Sequence, residues 1–177
     1  MLHSRRVADL LTGLRASIAF SLPWLGYRLG AAALPLVVTL MLIGWISDYY
    51  DGVIARQSPN KTISWIGQHD LEVDMTASAG LLIYLLGAGF VSLGVAAIYV
   101  LVWAIIFIRY GFSKATGSLM QAPIYGRFLW VAGQLAPHAA VWVLVWVVAN
   151  LLFTWRRFAY EVLPEFFVGL SKTLRKK

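Results

Sequence analysis

The stretch SDYYDGVIARQSPNKTISWIGQHDLEVD, residues 47–74, decides how this chain is read. It joins two strongly apolar segments and holds five of the eight carboxylates: Asp48, Asp51, Asp70, Glu72 and Asp74. A charge at the centre of a membrane helix costs roughly 2.5–3.5 kcal/mol on insertion scales. Acids at a membrane boundary are therefore functional candidates by default. If residues 47–56 are helical, Asp48, Asp51 and Ala55 share one face, with Gly52 and Arg56 beside it. On the following helix Asp70 and Asp74, four residues apart, also share a face, and Glu72 points away from them.

If the two helix ends meet, four negative charges converge. Such a cluster requires cations or protonation of some of its members. All-oxygen ligation suits Mg²⁺, Mn²⁺ or Ca²⁺. Four carboxylates can hold two ions, the usual clamp on a transferring phosphoryl group. Gly52 and Ala55 leave the helix surface bare for a ligand, and the Arg56 guanidinium suits a bidentate phosphate contact.

The pattern Asp48, Asp51-Gly52, Ala55-Arg56, Gly67, Asp70, Asp74 resembles the signature of the CDP-alcohol phosphatidyltransferase family. The loop is one residue longer than the family's, and Gly67 stands two positions later after Arg56. The run Leu-Leu-Thr-Gly-Leu-Arg at 10–15 is similar to the family's amino-terminal segment, with Asp9 where an Asn is frequent. Met75 follows the last aspartate, where relatives often carry Lys.

The resemblance implies transfer of a phosphatidyl group from CDP-diacylglycerol or a similar lipid to an alcohol, with release of CMP. It also implies six transmembrane helices, a homodimer and a site open to the cytoplasm. Asp48, Asp51, Asp70 and Asp74 are then the metal ligands for two Mg²⁺ or Mn²⁺ ions, and Asp74 is also the general base. Asp48, Gly52, Ala55 and Arg56 would bind the CDP moiety. Arg109 and Arg127 are candidates for an acceptor's phosphate, because Gly126-Arg127 is similar to the Gly-Lys opening the fifth span of phosphatidylglycerophosphate synthases. Glycerol-3-phosphate is the favoured acceptor; inositol phosphate, another lipid or a neutral polar alcohol stay open. A cation transporter using the aspartates as ion ligands and an inactive family member are the competing functions.

Composition agrees with a membrane protein. Hydrophobic residues make up 60% and charged residues 13% of 177, and a single domain over 1–177 is expected. The absence of cysteine excludes disulfides and thiolate metal sites. The predicted fold is all-α and polytopic. An amphipathic segment over 1–15 places Arg5, Arg6 and Arg15 among headgroups. Apolar segments follow at 16–28, with Pro23 a kink, and at 31–47.

The uncharged run 75–108 is too long for one span and turns within 86–94. Residues 115–125 read as a loop. The run 128–155 reads as the ends of two helices meeting near Pro137-His138. With six spans, every Lys and Arg except Arg28 falls on one side, the asymmetry of cytoplasmic loops. The net charge of +7 is then explained by topology and anionic headgroups, and no nucleic-acid partner is expected. A bacterial plasma membrane is the expected location. His69 and His138 are read as interfacial or turn residues, and the tail 158–177 as a basic segment that can lie on the membrane surface.

Overall fold

The computed structural model describes residues 2–57 and 70–175. Side chains at 2–9, 51, 52, 54–57, 70, 157, 165, 170 and 172–175 lie outside that description, as do Gly67 and His69 altogether. Among the described residues every regular element is helical. They fall into two compact units, Met1–Phe90 and Val91–Lys177.

The first unit contains α1 (Leu2–Leu29), a 3-10 turn (Gly30–Ala33), α2 (Leu34–Gln57) and α3 (Asp70–Gly87). The amphipathic lead-in and the first apolar segment are one helix, continuous through Pro23. Gly30, at φ 55°, opens the turn that folds α2 back along α1. In α1 the buried residues Thr12, Arg15, Ala19, Leu22 and Gly26 recur at three- and four-residue intervals, so one stripe faces the neighbouring helices. Val37, Val38, Met41 and Ser47 form the matching stripe of α2; Ser78, Leu81, Tyr84 and Leu85 form that of α3.

Helices α1 and α3 run parallel at very close approach. A Cβ built on Gly80 would stand 2.4 Å from the Ala19 carbonyl oxygen, and one on Gly26 would stand 3.0 Å from the Tyr84 Cα. Small residues at such crossings let membrane helices gain van der Waals contact that lipid cannot replace. The Tyr84 hydroxyl, buried among apolar groups, donates to the Gly30 carbonyl at 3.4 Å. Helix α3 ends in a glycine cap: the Ala88 and Phe90 amides donate to Tyr84 and Leu85, and Gly89 takes φ 77°. The expected turn within 86–94 is thus present.

The second unit contains α4 (Leu93–Tyr110), α5 (Lys114–Leu135), α6 (Pro137–Arg157), a π-helical turn (Phe158–Val162) and α7 (Leu163–Arg175). Ser92 caps α4 by accepting the Val95 amide. The break near Pro137 falls where expected, with Pro137 in the first turn of α6, where its missing N–H costs nothing.

The loop expected at 115–125 is not a loop. Ser113 and Thr116 form a reciprocal capping box, and α5 starts there and runs through Pro123. Ile124, Phe128, Val131 and Ala132 are among its buried residues. The Tyr99 hydroxyl of α4 donates to the Met120 carbonyl of α5. A Cβ built on Gly169 of α7 would stand 3.7 Å from the Ala115 methyl of α5.

Among the described residues three helical stretches are long and apolar enough to cross a membrane: Leu10–Tyr50, Leu93–Tyr110 and Pro137–Arg156. The first takes in most of α1 and most of α2. Their outer surfaces are apolar, as with Ile108 and Phe153, each 86% exposed. A helix apolar all round that is not buried in protein suits lipid as its surroundings.

Candidate functional site

The site is built where α1, α2 and α3 meet. Arg15 of α1 is 4% exposed, the most hydrophilic member of an otherwise apolar stripe. Guanidinium cannot deprotonate in a protein, so burial requires carboxylate partners. Among the described residues two carboxylates of the 47–74 stretch meet it. One nitrogen, Nη1, donates to Asp48 Oδ1 at 2.5 Å and to Asp74 Oδ1 at 2.9 Å. These are charge-assisted bonds at the short end of the normal range.

The three side chains differ in exposure. The Arg15 side chain is 5% exposed, whereas those of Asp48 and Asp74 are 49% and 36% exposed. The cation is therefore at the bottom of the site and the carboxylates form its rim. One guanidinium does not neutralise two carboxylates, so the triad carries a net negative charge.

The placement of Arg15 corrects the expectation that it lies among headgroups with Arg5 and Arg6. The physical reason is its register. Arg15 falls three residues after Thr12 and four before Ala19, on the packed stripe of α1. That periodicity was the signal in the sequence that could have found it.

The other expected residues stand as follows. Asp51, Gly52, Ala55 and Arg56 lie on α2, which runs unbroken from Asp48 to Gln57. Asp70 opens α3, one turn before Asp74. The helical premise of the motif therefore holds on both helices, and Asp51 and Asp70 fall within one turn of the two aspartates that Arg15 joins. The side chains at 51, 55, 56 and 70 lie outside the described residues.

Glu72 is exposed, on a different face from Asp74. Ser47, Thr76 and Ser78 donate to carbonyls of their own helices, so none is turned to the aspartates through those bonds. His138 is exposed in the first turn of α6.

Arg109 closes α4 with its guanidinium 5.9 Å from the centre of the Tyr110 ring. Arg127 does not begin a helix, because α5 starts at Lys114. At 1.5 Å per residue it lies roughly 20 Å further along α5. The two arginines thus stand at different heights on that part of the fold.

Among the described residues no group of three or more His, Asp or Glu side chains is placed to hold a metal. The donor chemistry nevertheless fits a hard cation. Two carboxylate oxygens from different helices already converge on one positively charged atom. Oxygen donors of this kind are those Mg²⁺ and Mn²⁺ prefer. Comparison of the chain with protein-family models, with curated proteins and with solved structures finds no match.

Proposed function

We propose that this chain is a CDP-alcohol phosphatidyltransferase of the membrane, moving a phosphatidyl group from a CDP-linked lipid such as CDP-diacylglycerol to an alcohol. One observation carries the reading. Asp48 and Asp74, the first and last acids of the motif, converge on Arg15 although they come from different helices. The motif's two halves thus share one place, as the chemistry requires.

In this reading α1–α6 are the six spans, α7 lies along the cytoplasmic surface, and the aspartates open to the cytoplasm. Asp48, Asp51, Asp70 and Asp74 would hold Mg²⁺ or Mn²⁺, which neutralises the pyrophosphate and stabilises the leaving CMP. Gly52 and Ala55 leave room for the nucleotide, and Arg56 supplies a phosphate fork. Asp74 takes the proton of the acceptor hydroxyl. The acceptor oxygen forms a bond to the lipid-linked phosphorus, and the bond from that phosphorus to the CMP oxygen breaks. Glycerol-3-phosphate is the acceptor to try first. A cation pathway fits less well, because it leaves Gly52, Ala55 and Arg56 without a role.

The test is CMP release by purified protein with CDP-diacylglycerol, Mn²⁺ or Mg²⁺ and one acceptor at a time. Release that depends on an acceptor and disappears in Asp74→Asn is the expected result. A folded protein that neither releases CMP nor binds CDP-diacylglycerol would sink the proposal.

A further inference from the structure

We infer that Arg15 is the built-in counter-cation of the Asp48–Asp74 pair and yields these carboxylates to a divalent ion when one binds. This rests on the metal-dependent reading above and adds a positioning residue that the aspartate motif does not contain. The geometry carries it. A single atom, Arg15 Nη1, holds Asp48 Oδ1 at 2.5 Å and Asp74 Oδ1 at 2.9 Å. Divalent ions bind carboxylate oxygens at roughly 2.0–2.6 Å. An ion shared by these two oxygens would take the place Nη1 occupies, and it would repel the guanidinium besides.

The arrangement also answers a folding problem. Without a cation, α2 and α3 would bring like charges together at their ends, and the site would spread before metal arrived. Arg15 is held deep by the apolar stripe of α1, while its partners are half-exposed at the rim. The guanidinium can therefore hold the acids in register from beneath, leaving them reachable by an ion from the open side. The guanidinium stays charged wherever the acids are ionised, so the substitute is present whenever it is needed.

The experiment is Mn²⁺ titration of the full chain in nanodiscs, following free Mn²⁺ by electron paramagnetic resonance, with melting recorded in chelator and in saturating Mn²⁺. Arg15→Gln is expected to bind Mn²⁺ about ten-fold more tightly than wild type, a coupling of ordinary size. It should melt below wild type in chelator, and the gap should narrow in Mn²⁺. Arg15→Lys, a point charge that cannot reproduce the guanidinium's geometry, should fall between the two and carries the test should Arg15→Gln not fold.

Wild type that binds Mn²⁺ together with variants that bind it equally or more weakly would overturn the inference and leave the proposed function standing. Tightening that persists in an Asp48→Asn/Asp74→Asn background would also overturn it, since the ion would then sit elsewhere. Binding by neither wild type nor any Arg15 variant would remove both the inference and the metal-dependent reading.

Discussion

Gly80 of α3 and Ala19 of α1 lie closer than any side chain between them would permit: a methyl group on Gly80 would stand 2.4 Å from the Ala19 carbonyl oxygen. About one turn before this crossing on α1, and nearly two turns before it on α3, Arg15 meets Asp74. The register that brings the small residues together therefore also sets the acid beside the arginine. The close approach is a requirement of the site as well as of the packing.

Gly80→Ala should consequently destabilise the first unit. The clash is with backbone, which cannot rotate away, and overpacking of this kind costs about 1–3 kcal/mol. Alanine's better helix propensity returns up to about 1 kcal/mol. Gly126→Ala is the control, since nothing lies within 4 Å of a Cβ there. Thermal unfolding in detergent should show a lower midpoint for Gly80→Ala and an unchanged or slightly higher one for Gly126→Ala. Equal midpoints for the two variants would mean that α1 and α3 are further apart than described.

A second prediction concerns the start of α5. Ser113 accepts the Thr116 amide and Thr116 returns the bond to the Ser113 amide. Removing such a cap costs about 0.5–2 kcal/mol. Ser113→Ala should lower the melting midpoint, and Ser113→Asp, which keeps an acceptor at the cap, should recover most of the loss. If Ser113→Ala melts with wild type, the box does not define the start of α5.

Much of this architecture was legible in the sequence. The uncharged runs showed where helices lie, the glycines of 86–94 marked a turn, and Pro137 marked a helix start. The spacing of Asp48 and Asp51 and of Asp70 and Asp74 required helices that are present. Two features were missed for identifiable reasons. The segment 115–125 read as a loop with Pro123 near its end, yet its capping box outweighs the weak propensities of Thr116, Gly117 and Ser118, and α5 runs on through Pro123. Arg15 was grouped with Arg5 and Arg6 by charge, whereas its position on the buried stripe of α1 was the better guide. Convergence of α2 and α3 on one nitrogen is a tertiary fact that no local pattern contains.

Under the proposed function, the height difference along α5 keeps Arg109 and Arg127 from serving one acceptor phosphate together. With roughly 20 Å of helix between the first residue of α5 and Arg127, one small phosphate cannot touch both arginines while α5 keeps this form. Losing a charge-assisted phosphate contact costs about 1.5–3 kcal/mol, or roughly ten-fold or more in KM. Arg109→Ala and Arg127→Ala should therefore differ: one should raise the KM for glycerol-3-phosphate by about ten-fold or more, and the other should leave it within about two-fold. Large, equal increases in both would show that the two residues share the acceptor.

The sharpest separation of stability from chemistry is at the aspartates. Asp48→Asn and Asp74→Asn each remove one of the two carboxylates on Arg15 and leave the other in place. Both acids are more than one-third exposed, so solvent moderates the loss, and each variant should lose only about 1–2 kcal/mol of stability. Under the proposed function their effects on CMP release should be much larger. An amide at position 74 cannot accept the acceptor's proton, a loss of about 10²–10⁴ in rate for a general base, and metal would be weakened as well. Chelator should abolish wild-type CMP release, and Mn²⁺ should restore it in wild type but not in Asp74→Asn. The decisive comparison is CMP release against melting midpoint for the two variants. Activity that falls no further than stability accounts for would place the chemistry away from Asp74, whereas near-complete loss in a protein that still melts cooperatively near wild type would place Asp74 in the reaction, as base or as metal ligand.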